Sequence, residues 1–192
     1  MRVKFVFSTL IAALLLSVGA GGAAARSFEV SEQRVTGTSR GMVFESSSGN
    51  VTCDVTRVIT LHRRTFAKVA NTLIGYVTDV RATNCTERST GALTETLPWH
   101  VTYGGFSGTL PRITEMRLNV LNVTFLFTIF GVSCLFAGTG EGRLAVSAGS
   151  ASTLRLNEAV AFNLAAGGFF CPRTYRMRGT LNLSPILMIR LL

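Results

Sequence analysis

Along most of the chain apolar and polar residues alternate one by one, the period of a half-buried strand. Trp99, Val101 and Tyr103 alternate with His100 and Thr102, and Pro98 marks the start of that strand, where a missing N–H is tolerated. Tyr175, Met177, Leu181 and Leu183 share one face, while Arg176, Arg178, Thr180 and Asn182 share the other. Gly179 falls on the apolar side, where the lack of a side chain leaves room for a bulky neighbour. Residues 51–60, rich in β-branched side chains, and residues 73–83 predict two more strands. Glycine and small polar residues at 37–41, 46–50, 86–91 and 138–142 predict turns. Pro185 is expected to end the strand before it and to leave 186–192 as a short edge strand.

Met116, Leu118 and Val120 are in one phase, whereas Leu121, Val123, Phe125 and Phe127 are in the other. A one-residue slip turns the second set to the opposite face unless a bulge absorbs it, so a bulge or tight bend is expected near Val120. Residues 118–137 carry no charge and are long enough for a membrane helix. Asn119, Asn122, Thr124 and Thr128 at strand spacing favour strands instead. Residues 158–169, with Ala159, Phe162, Ala165 and Ala166 near helical spacing, are the expected place for a short helix. The whole pattern predicts an all-β fold, an antiparallel β-sandwich with a small β-barrel as the alternative.

The first residues depart from this pattern. Arg2 and Lys4 precede an apolar run, small residues follow, and charge returns at Arg26. That order predicts a secretory signal peptide over 1–25, cleaved after Ala25, with 26–192 as one β-rich domain. Loss of Arg2 and Lys4 lowers the net charge of +9 by two. The basic excess favours anionic contacts, but its arginines are scattered, which also suits simple solubility. Export places Cys53, Cys85, Cys134 and Cys171 where thiols oxidise, and four cysteines there read as two disulfides. Of three possible pairings, Cys53–Cys85 and Cys134–Cys171 is preferred, since each closes a loop within one half of the chain. Neither histidine has zinc-site spacing to the cysteines.

The stretches TLIGYVTDVRATNC, LTETLPWHVTYGGFSGTLP, GVSCLF and FFCPRTYRMRGTLNL resemble a group of small exported bacterial proteins. These share a signal peptide, an LPW segment and four cysteines in similar order. The resemblance implies a β fold with two bridges and a bacterial source. It brings no activity, ligand or site residue with it.

Catalytic signals are thin. His62 and His100 are the only histidines; Asp54, Asp79, Glu87 and Glu95 are the candidates for a paired-carboxylate glycoside hydrolase, but each reads better as a surface or turn group. Gly105-Phe106-Ser107-Gly108-Thr109 lacks the final glycine of a nucleophile elbow and reads as a turn serine. His62, Arg63, Arg64 and Lys68 form the densest basic patch, suited to an anionic surface or polymer. Phe66 alone does not supply the stacking platform of a nucleic-acid binder. The expected function is therefore that of an exported, non-enzymatic β-domain, binding or structural, at the cell surface or outside the cell. It needs no cofactor and meets a membrane only during export. Two alternatives remain: a secreted hydrolase using His100 or His62 with a nearby carboxylate, and an envelope protein anchored by residues 118–137.

Overall fold

The computed structural model describes residues 27–86, 96–129, 131–156 and 161–192. Within them the chain is all β. Its strands are β1 (Ser27–Val30), β2 (Arg34–Ser46), β3 (Gly49–Leu61), β4 (Thr65–Ala67), β5 (Leu73–Thr83) and β6 (Trp99–Thr109). They continue as β7 (Arg112–Ile129), β8 (Val132–Ser147), β9 (Ser150–Leu156), β10 (Ala161–Ala166) and β11 (Thr174–Leu191). Residues 1–25, expected to be a signal peptide, and Glu87 and Glu95 lie outside the described residues.

Successive members of the series β2, β3, β5, β6, β7 and β8 pair antiparallel. β8 pairs with both β9 and β10, these both pair with β11, and β11 pairs with β2. The ladder thus returns to its start. A circuit of this kind is the connectivity of a closed barrel, and its opposite walls face each other across the core as the layers of a sandwich do. Inward positions are mostly apolar and outward positions are largely Thr, Arg, Asn and Ser. A lipid-embedded barrel has the reverse arrangement.

Aromatic side chains fill the interior near both ends. Phe44, Phe125, Phe127, Phe136, Phe162 and Tyr175 interlock with ring centroids 4.7–6.5 Å apart. At the other end Phe28 of β1 meets Phe66 of β4, Tyr103 and Phe106 at 5.8–6.0 Å, so the short β1–β4 pair plugs the opening. Each ring so buried contributes about 1.5–3 kcal/mol. An apolar void of about 30 Å³, lined by residues such as Ile59, Leu144 and Leu187 together with Val30 of β1 and Phe66 of β4, is left in the core.

The expected phase slip is present. The β7–β8 register jumps between Val120 and Val123, and Asn122 adopts a φ of 59°. Leu121 and Asn122 together stand opposite the single residue Thr139, so Met116, Leu118 and Val120 face the same core as Val123, Phe125 and Phe127. The described residues of 118–137 consequently form a β-hairpin, with alternate side chains in the core, and no described helix is long and apolar enough to cross a membrane.

Four expectations are corrected. Residues 37–41 are not a turn but a bulged part of β2, where the register to β3 shifts between Ser39 and Met42. Residues 138–142 are not a turn but mid-β8. A Cβ on Gly138 or Gly142 would come within 2.9 Å of Phe162 or Leu154, so these glycines make room for large side chains opposite. The described part of 158–169 holds strand β10 rather than a helix, because Phe162 is drawn into the aromatic cluster and pairing to β8 and β11 outweighs alanine's helical preference. Pro185 does not end its strand. β11 passes through it with a register shift to β9 between Asn182 and Leu187, and its last residues are flanked by β1 and β9. Gly179 does admit a bulky neighbour: a Cβ there would lie 2.7 Å from the Met42 sulfur.

Candidate functional site

The disulfides are Cys53–Cys85 and Cys134–Cys171. Strand directions put both at one end of the circuit, with the turns at Ser47-Ser48, Gly131 and 167–173. Asp54, beside Cys53, accepts hydrogen bonds from the Asn84 amide at 2.9 Å and the Gly41 N–H at 3.0 Å. Those two bonds, the side-chain one foremost, hold its carboxyl below the usual carboxylate range.

The two histidines come together on the outer wall. Tyr76 of β5 lies between them, its ring 4.7 Å from His62 and 5.3 Å from His100. Cross-strand register explains this: Tyr76 is opposite His100 on β6 and opposite Thr60 on β3. Hydrolytic chemistry of the triad type needs a carboxylate to orient the imidazole. Among the described residues, none is hydrogen-bonded or ion-paired to either ring. Asp79 turns instead to Arg81, at 3.3 Å. Ser107 is within β6, opposite Glu115, rather than in a turn. No group of His, Cys, Asp and Glu among the described residues is arranged to hold a metal ion.

The basic patch is partly dispersed and partly rebuilt. His62 turns to Tyr76, and the Lys68 ammonium sits 5.8 Å from the Phe28 ring centre. Arg64 instead meets Arg190, a residue 126 positions away, across an open groove of about 580 Å³. Ser31, Gly149 and Met188 line the same groove, and Glu29 there is ion-paired to Arg190. The hydrogen bond from Arg190 holds the Glu29 carboxyl below its ordinary range, and the charges of Arg190 and Arg64 act the same way. Arg34, Arg63 and Arg112 are also exposed at this end, remote from the disulfides.

A further cation went unremarked in the sequence. Arg57 follows Val51, Cys53 and Val55 on the inward face of β3 and is buried. One guanidinium nitrogen donates to the Met177 sulfur at 2.8 Å, and the group lies 6.0 Å from the Trp99 ring centre. Its Nε has no hydrogen-bond partner, nor does the buried Thr102 hydroxyl. Burial pushes the Arg57 pKa down to about 10. Alternation with three apolar inward neighbours was the signal that could have found it. A scan of protein-family models finds no match to the chain, and searches of curated proteins and of solved structures find no similar protein.

Proposed function

We propose that the chain is an exported, non-enzymatic β-domain that acts by contact at its outer surface, at the cell surface or beyond, with an anionic polymer as its partner. One observation carries this reading: large side chains occupy the interior, while the Arg64–Arg190 groove stands open among further exposed arginines. Guanidinium groups suit carboxylate and phosphate partners, and clustering at one end concentrates their field. Two disulfides are compatible with a location outside the cytoplasm. The start of the chain and its resemblance to exported bacterial proteins point the same way.

Two measurements test this. The full chain is expressed with its own N-terminus, and the exported fraction is analysed by intact mass with and without alkylation. Loss of residues 1–25 and absence of free thiols are expected; an uncleaved, reduced product in the cytosol overturns the export reading. Binding to dextran sulfate is then measured for the wild type and for the combined Arg63→Ala, Arg64→Ala, Arg190→Ala variant. At least a tenfold loss, with steep weakening by salt, is expected. Equal binding by both removes the groove from consideration.

A further inference from the structure

At the disulfide end, the Cys171 N–H donates to the Gly168 carbonyl at 3.0 Å and closes a β-turn. Its two central residues are Phe169, 99 % exposed, and Phe170, 62 % exposed. Gly, Pro, Asn, Asp and Ser dominate such positions because the turn tip faces water, and two adjacent phenylalanines there have no packing role within the fold. Among the described residues their rings make an aromatic contact with each other alone, at 5.9 Å between centroids. The Cys134–Cys171 bridge ties the turn to β8.

The charge around the turn is one-sided. No Asp or Glu occurs in 116–140 or in 159–192. Arg173 and Arg176 follow the turn and are exposed. Glu45, across the ladder from Arg176, is ion-paired to Arg178 at 2.7 Å.

We propose that this turn is a membrane-interface contact, in which Phe169 and Phe170 enter the headgroup–acyl boundary of an anionic lipid surface and Arg173 and Arg176 meet its phosphates. A convex tip with two adjacent rings fits a yielding surface, and exposed arginines complement anionic headgroups. The contact does not depend on the Arg64–Arg190 groove, which lies at the opposite end.

The test is co-sedimentation of the full, disulfide-bonded chain with vesicles of phosphatidylglycerol and phosphatidylcholine, and with phosphatidylcholine alone. The wild type is compared with the Phe169→Ser, Phe170→Ser variant and with the Arg63→Ala, Arg64→Ala, Arg190→Ala variant. Expected are binding to the anionic vesicles, at least a tenfold loss in the phenylalanine variant at an unchanged melting temperature, and retained binding in the groove variant. The proposal is overturned if the wild type ignores vesicles or if the phenylalanine variant binds equally. It is also overturned if sedimentation velocity shows a dimer that the serines dissociate, since a second copy would then be the occupant. Dextran sulfate binding without vesicle binding would leave the groove reading standing and this one refuted.

Discussion

Asp54 and Arg57 lie on the same strand and face opposite sides of the wall. Asp54 is outside, and its carboxylate gathers Asn84 and the Gly41 N–H to β3. Its folded pKa is lowered, so its contribution is present above the ordinary carboxylate range and fades as pH falls through the folded value. Urea unfolding between pH 6 and 2 is therefore expected to show a shallower acid-side loss in Asp54→Asn than in the wild type. Arg57 is inside, and desolvation dominates it. A buried cation with no ion pair among the described residues costs more than its contacts return, so Arg57→Met is expected to raise the unfolding free energy at pH 7 by about 1–4 kcal/mol. The slope with pH has the same sign as for Asp54, stability rising with pH, but here a penalty is relieved rather than a gain added. The folded protein gives up this proton more readily than the unfolded chain, so the penalty is full below pH about 10 and is relieved as pH rises beyond it. The advantage of the Met variant should narrow there. A variant less stable than wild type at pH 7 would show that the Met177 sulfur and the Trp99 ring outweigh desolvation.

Where the alternation was clear, the elements were legible: 99–103 and 175–183 are strands because one face must be buried. The phase slip at Val120 announced its bulge for the same reason. Glycines misled wherever they served packing rather than turning, as at Gly138 and Gly142, since nothing local tells an interior gap from a reversal. The alanines of 158–169 misled because helical spacing over a few residues cannot compete with two flanking strands. The groove was hidden altogether, as Arg190 reaches Arg64 through β1, which pairs with both β11 and β4. The bulge itself can be tested. Asn122 holds a left-handed conformation that a β-branched residue resists, so Asn122→Val should cost about 1–2 kcal/mol. Asn122→Gly should stay within about 0.5 kcal/mol of wild type in the same denaturant series.

For the molecule as a whole, the two bridges are unequal in what they secure. Cys53–Cys85 joins strands that already share a long ladder. Cys134–Cys171 spans the place where β10, paired over only a few residues, helps complete the circuit. Loop entropy assigns each about 3.5–4 kcal/mol. The Cys134→Ala, Cys171→Ala variant should therefore lose that much, with amide exchange accelerated in β10 more than in β3. Equal acceleration in the two strands would argue against a special weakness at β10. The first and last described residues also meet: Leu192 donates to Ser27 at 3.0 Å, at the end without covalent ties. Tension applied through them would peel β1 and the tail of β11 first, like a zip opened from its loose end. Slack could then be drawn only from segments outside the two cystine loops, so a fully stretched molecule would stop well short of its contour length until a reductant cut the knots.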